Sequence, residues 1–432
     1  MLQPLADMNR VFAGVSLLAC QLIFLSEGIN EAIISPIYPL RAINIHGSSQ
    51  TIVAVTLAMY SIGQIFTCCL LLFLRVKQYE RIIFVVAALF SAIFIVMFGF
   101  TDKINDLQIF NMFNMLSRFA VGVATASLWS VVFSIVNNYY GALGKKFSNT
   151  FVPMYYFGMS IGPQISLYMC MHINYTAPFY LCGLLEVIFA IGSSFIFFER
   201  EPALPTFSDS NENNDLVCLY FFKNIRVIVL LMNILYANIA YGFYDGILAQ
   251  FLTEVFGATD AQLNLAYLAI NVPLLPSSLY FGCYLSGKGY SFVVVLIAMI
   301  IYTFSSFLIF LSNYTNVLNN FYFVCVLIFF IFVARGSIVA AMYIVLDVYI
   351  SKKYPDRDCR SALVFIGSTI LLFAMLGAII GSAFFIGIIK VYFGLQFCFL
   401  SVAVVGFCFL MNYVFFFVIY SDIFIFKKQC NT

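Results

Sequence analysis

Apolar stretches of about twenty residues recur along the chain, separated by short polar turns. Twelve can be delimited, near 11–38, 51–74, 82–100, 109–137, 148–171, 176–198, 226–253, 262–285, 291–312, 321–350, 362–389 and 393–420. A helix needs ~20 residues to cross ~30 Å of hydrocarbon, so each stretch predicts one transmembrane helix. Helices are meant rather than strands, because spans of this length exceed barrel strands and a helix satisfies its own backbone polar groups. Only one break is long and polar, EREPALPTFSDSNENNDLVCLYFFKN at 199–224. It divides twelve spans into six and six. The pattern predicts an all-α membrane protein, with an N-terminal six-helix bundle over 1–198, a linker over 199–225 and a C-terminal six-helix bundle over 226–432.

Composition agrees. Hydrophobic residues make up 63% of the chain and charged residues 9%, against about 25% charge in soluble domains, and the mean hydropathy is +1.01. The lipid bilayer is the expected surrounding. The first apolar run is too long for a cleavable signal and continues the pattern of the others. Sixteen Lys and Arg residues, including Lys145, Lys146, Lys352, Lys353, Lys427 and Lys428, fall in the loops that share a side with both termini. Arg41, Lys103 and Lys390 fall in the loops of the other side. The positive-inside rule then puts both termini in the cytoplasm, as an even number of spans requires.

The net charge of +2 says nothing about nucleic acid; the basic residues are topology signals and no basic patch interleaved by aromatics occurs, so no nucleic-acid partner is expected. Most of the twelve cysteines, such as Cys68, Cys182 and Cys325, fall inside spans as small apolar residues, so neither a disulfide framework nor a metal site is expected. The two histidines, His46 and His172, lie near span ends without a clustered nucleophile. No enzyme and no cofactor are predicted. Asn174 and Asn313 open N-Y-T sequons in short loops, either glycosylated or bare.

Internal repetition is testable by offset. Glu27-Gly28-Ile29 in span 1 answers to Asp245-Gly246-Ile247 in span 7 at 218 residues, Arg118 to Arg335 at 217, and Gly158 and Gly162 to Gly377 and Gly381 at 219. Three agreeing offsets in corresponding spans indicate a six-plus-six duplication, the transporter architecture that binds substrate near the midplane between pseudo-symmetric halves. An ionisable residue in a span costs ~2.5–3.5 kcal/mol on insertion scales, so it faces a cavity or a partner. Glu27, Glu31, Arg118, Asp245, Arg335 and Asp347 occupy spans 1, 4, 7 and 10; Glu186, on span 6, is unmatched and reads as a structural hydrogen-bonding group. Glu27 and Asp245 are either proton- and substrate-binding groups or structural partners of Arg118 and Arg335.

The string GMSIGP in span 5 spaces Gly158 and Gly162 one turn apart, for close helix contact, and follows them with Pro163, which bends the span. These five residues, Gly158, Gly162, Pro163, Gly377 and Gly381, are the expected conformational hinge. GMSIGP resembles the antiporter motif of the major facilitator superfamily. With Glu27 ahead of SPIYP, RFAVG around Arg118, GFYDGILAQFL around Asp245 and YIVLD ending at Asp347, the chain resembles that superfamily over its whole length. It is most similar to the vesicular amine transporter family and its polyamine-transporting branch. The monoamine members' lysine in span 2 and acid in span 11 are absent.

The resemblance implies the major facilitator fold, central cavity helices 1, 4, 7 and 10, and acids that couple protons to recognition of cationic amines. The expected protein is a monomeric proton-coupled antiporter of a small organic cation in an intracellular vesicle or lysosomal membrane, or in the plasma membrane. An exporter of an organic anion or neutral metabolite, and a non-transporting sensor with this fold, are the alternatives. Tags on both termini and within 199–224 should be accessible to cytosolic protease in sealed, cytoplasmic-side-out vesicles; protection of the linker would contradict the six-plus-six division.

Overall fold

The computed structural model describes residues 3–73, 79–194, 225–314, 320–353, 359–390 and 394–419, and among these all regular structure is helical. Span 1 is built of two helices, α1 (Gln3–Ala32) and α2 (Ile34–Asn44). They part at Ile33 because Pro36 has no N–H to donate to the carbonyl of Ala32. α3 (Gln50–Phe73) and α4 (Glu80–Phe100) follow, and a 3₁₀ turn at Thr101–Lys103 closes α4. Arg41 grips Asp102 in that turn with two hydrogen bonds of 2.7 and 2.8 Å, joined by His46 Nε2 at 3.2 Å, so α2 is clamped to the end of α4.

α5 (Leu107–His172) starts at Asp106, whose carboxylate accepts the Ile109 N–H at 2.9 Å. Its 66 residues would measure ~100 Å as a straight rod. Instead the rings of Trp129 and Tyr155 meet edge-to-face at 5.3 Å, so the helix doubles back between them. Spans 4 and 5 are its two antiparallel limbs. α6 (Ala177–Ser193) completes the first half.

In the second half, α7 (Ile225–Phe256) is followed by α8 (Asp260–Asn271), which opens with a Thr259–Gln262 capping box. Pro273 and Pro276 interrupt span 8, which continues as α9 (Leu274–Ser277) and a π-helical stretch at Ser278–Tyr290. α10 (Ser291–Tyr314), α11 (Phe321–Lys353), α12 (Cys359–Ile379) with a π-helical extension at Ile380–Lys390, and α13 (Leu395–Ile419) complete the chain. Ten described helices are long and apolar enough to cross a membrane. The shorter α6 and the returning limb of α5 bring the spans to the twelve expected. The linker of 199–224 lies outside the described residues.

Glycine contacts lock spans 1 and 5 together. A side chain on Gly158 would run into the Leu25 carbonyl, one on Gly28 into the Tyr155 carbonyl, and one on Gly162 would come within 3.0 Å of both Ala32 Cβ and the Ile29 carbonyl. The second half repeats this between spans 7 and 11, where Gly377 meets the Leu235 carbonyl, Gly381 that of Ile239, and Gly242 that of Ala378.

The repetition fixes the true register of the halves. Gly158 and Gly162 match Gly377 and Gly381 at 219 residues, as the sequence predicts. Their carbonyl partners, Leu25 and Ile29, match Leu235 and Ile239 at 210 residues, not 218. Glu31 is therefore the counterpart of Tyr241, and Glu27 that of Ala237. Asp245 answers to Ser35, about 12 Å further along the helix than the Glu-Gly-Ile match implies.

Leu at Gly158 or Gly377 should leave the protein inserted while lowering flux by roughly tenfold or more, because the close contact of two spans is lost. Gly14 has open space around it, so Gly14→Leu should retain the parental flux in the same vesicle assay.

Candidate functional site

Between the halves lies a cavity of about 80 Å³. That is room for several waters, each needing ~10–15 Å³ on this measure. Glu31, Gln64, Trp129, Tyr155 and Tyr156 line it from the first half; Asn238, Arg335 and the apolar side chains of Ile370, Leu371 and Met375 line it from the second. The Ser160 hydroxyl donates to the Asn271 carbonyl at 2.7 Å and Tyr267 to the Ser35 carbonyl at 3.3 Å. Ser368 donates to Ser130 at 3.0 Å, next to the lining residue Trp129. The halves thus touch on either side of the cavity.

Glu31 is the centre of this site. It is 4% exposed, and three tyrosine hydroxyls converge on its carboxylate: Tyr60 at 3.0 Å and Tyr155 on Oε2, and Tyr241 at 2.6 Å on Oε1. Tyr60 and Tyr155 belong to the first half and Tyr241 to the second, so one carboxylate ties both halves together. Arg335 lies alongside, its guanidinium 4.0 Å above the Tyr241 ring and its Nη2 donating to Asn238 Oδ1 at 3.1 Å. Its Nε and Nη1 have no hydrogen-bond partner among the described residues.

Glu27, one turn before Glu31, faces away from the cavity lining. Thr125 donates to its Oε2 at 2.6 Å, and its carboxyl lies within hydrogen-bonding reach of Glu186 on α6. Arg118 stacks over Tyr60, 4.6 Å from the ring centroid. No acid comes within 4.0 Å of Arg118 among the described residues, so the ion pair with Glu27 allowed by the sequence is not formed. Of the residues expected to form a hinge, Gly158, Gly162, Gly377 and Gly381 sit at the span contacts described above and Pro163 lies inside α5. Asp245 and Asp347 lie on α7 and α11, and their side chains are outside the described residues.

The sequence reading missed the tyrosines, Asn238, Trp129 and the neighbourhood of Glu186. A signal existed: Tyr60, Tyr155 and Tyr241 are hydroxyls in apolar spans, and a buried tyrosine hydroxyl needs a partner.

Residues 22–332 match the family model of the Major Facilitator Superfamily. The chain belongs to that superfamily. It is 22% identical over 256 residues to the human MFS-type transporter SLC18B1, covering 58% of this chain and 53% of SLC18B1. The match therefore spans about half the length of that relative. Among solved structures, a point mutant of the nucleoside transporter NupG superposes with a TM-score of 0.65 at 12% identity, over 93% of this chain and 99% of that one. That likeness speaks for the fold alone. This superfamily member is a multi-pass membrane protein.

Because Arg118 is not ion-paired with Glu27, Glu27→Gln strands no cation. The variant should reach parental expression and run as a single species in size-exclusion chromatography. A structural pair would instead give a loss of ~3–5 kcal/mol, rescued by adding Arg118→Gln, and that rescue is not expected.

Proposed function

We propose that the protein is a proton-coupled antiporter of a small organic cation, an amine or polyamine, working by alternating access. The observation that carries this reading is Glu31: an almost fully buried carboxylate at the seam, held by hydroxyls of both halves, in a cavity walled by Trp129, Tyr155 and Tyr156. An ammonium group is suited to such a place, since a carboxylate supplies the counter-charge and aromatic faces supply ~0.5–2 kcal/mol of cation–π attraction each. The residue-level resemblance to vesicular amine transporters and the match to SLC18B1 support the same substrate class.

In this cycle the cation displaces the Tyr241 hydroxyl from Glu31, loosening the seam, and the bundles of 1–198 and 226–432 rock about the site. On the other side protonation of the acid releases the cation. Glu27, Asp245 and Asp347 are the further acids assigned to proton and cation handling, with Arg118 and Arg335 positioning the aromatic walls. Both termini are assigned to the cytoplasm on the charge asymmetry of the loops. The working unit is a monomer in a vesicle or lysosomal membrane, with the plasma membrane as the second location.

A second reading has its own observation. Arg335 lines the cavity with two guanidinium nitrogens that have no partner among the described residues, and an organic anion could take them up. The two readings separate on flux of radiolabelled mono-, di- and polyamines, and of carboxylate metabolites, into proteoliposomes with an acidic interior. Glu31→Gln should cut amine flux about tenfold or more, since a charged hydrogen bond is worth ~1.5–3 kcal/mol. Uptake of an anion but no amine, abolished by Arg335→Gln, would replace the cation reading.

A further inference from the structure

The sequence reads Glu186 as a structural group, yet the structure brings it to Glu27. Glu186 is fully buried and Glu27 is 1% exposed. Each carboxyl has one oxygen supplied with donors: Thr125 donates to Glu27 Oε2 at 2.6 Å, while Ser91, at 3.2 Å, and Asn30 donate to Glu186 Oε1. The other oxygens, Glu27 Oε1 and Glu186 Oε2, accept no hydrogen bond among the described residues, and the two carboxyls are within hydrogen-bonding reach of each other, with Ser91 in reach of both.

No Lys, Arg or His among the described residues comes within 4.0 Å of either carboxyl. The nearest titratable groups are Glu31 and Tyr60 on the cavity side and the Cys182 thiol on α6. Two buried carboxylates within reach of each other, with no cation beside them among the described residues, cannot both be ionised. One proton between the two donorless oxygens resolves the arrangement, since the protonated oxygen donates and the other accepts.

A path of hydroxyls leads from this pair to the cavity. Thr125, which donates to Glu27, is within hydrogen-bonding reach of Tyr60, and Tyr60 donates to Glu31 at 3.0 Å. The order is Glu31, Tyr60, Thr125, Glu27, Glu186. Once the Tyr60 hydroxyl has turned from Glu31 to Thr125, a proton leaving Glu31 is taken up by the Tyr60 oxygen as the Tyr60 proton passes to Thr125 and the Thr125 proton to Glu27. Both hydroxyls are restored, turned the other way, and one proton has moved.

We propose that Glu27 and Glu186 form a two-carboxyl proton store inside the first bundle, connected through Thr125 and Tyr60 to the cavity carboxylate Glu31. Glu186, on a helix outside the central four, is thereby a proton-binding residue. The store lets Glu31 meet a cation while the coupling proton stays within the same bundle. This rests on the proton-coupled reading above.

The test uses the full-length protein in proteoliposomes and reads the ratio of pH-gradient-driven amine accumulation to amine–amine exchange without a gradient. Glu186→Gln should lower that ratio by about tenfold or more, and Glu186→Asp, which keeps an ionisable carboxyl, should restore part of it. An unchanged ratio in Glu186→Gln overturns the proposal, as does equal loss in Glu186→Gln and Glu186→Asp. A second measurement needs no transport. The infrared difference spectrum between the parent protein and Glu186→Gln should contain the C=O stretch of one protonated carboxylic acid, moved by H2O/D2O exchange; its absence overturns the store. If the parent protein itself shows no gradient-driven accumulation, the antiport reading fails while the infrared band still decides the carboxyl pair. Should Glu186→Gln not fold, the same band is sought between the parent protein and Glu27→Gln.

Discussion

The close approach of α1 to the returning limb of α5 is the constraint on which the site depends. Gly28 and Gly158 let two backbones meet where any side chain would collide with a carbonyl. With the helices held that near, Glu31 is forced against Tyr155, and the next turn back points Glu27 at Thr125 and α6 instead. One contact thus sorts two acids of the same helix into two environments. One is at the seam; the other is inside a bundle.

The same contact, repeated by Gly377 and Gly381 in the second half, presents the counterpart position to the seam from the opposite side. That position is Tyr241, and it hydrogen-bonds Glu31 itself at 2.6 Å. Two pseudo-symmetric residues therefore meet at the pseudo-symmetry axis, one an acceptor and one a donor. Two glutamates there would repel and two tyrosines would carry no charge, so divergence between the halves is what makes a charged site possible. Each arginine stacks on a tyrosine that donates to Glu31, although the two tyrosines are not counterparts: Arg118 lies over Tyr60 of span 2 and Arg335 over Tyr241 of span 7.

Hydropathy made the spans legible, because a bilayer imposes length and apolarity on each helix separately. The close glycine contacts and the Arg118–Arg335 correspondence were equally plain, since each rests on a residue type that is rare or costly where it occurs. Register was misread for a definable reason. Glu-Gly-Ile and Asp-Gly-Ile look alike, but the depth of a helix is set by which carbonyl its neighbour's glycine touches, and that information is not local. Glu186 is hydrogen-bonded, as expected of an unmatched acid, but its neighbour Glu27 lies across the bundle, where no repeat offset could reveal it. With aromatic residues at 18% of the chain, the three tyrosines around Glu31 did not stand out until their hydroxyls could be seen to converge.

The polar links between the halves are few and individually weak. Ser160 to Asn271, Tyr267 to Ser35 and Ser130 to Ser368 are neutral hydrogen bonds, each worth ~0.5–1.5 kcal/mol net. Tyr241 to Glu31 is different, because in the proposed cycle its acceptor is an acid that exchanges a proton for a cation. A protonated Glu31 accepts that bond weakly; an ionised one accepts it strongly; an ammonium beside it competes for the same oxygen. In the proposed cycle, the strength with which the halves adhere is therefore set by what occupies Glu31. An equilibrium between two seam arrangements responds to a ligand only through a difference in binding energy between them, and the cross-seam bond to a titratable carboxylate supplies that difference at the place where proton and cation meet.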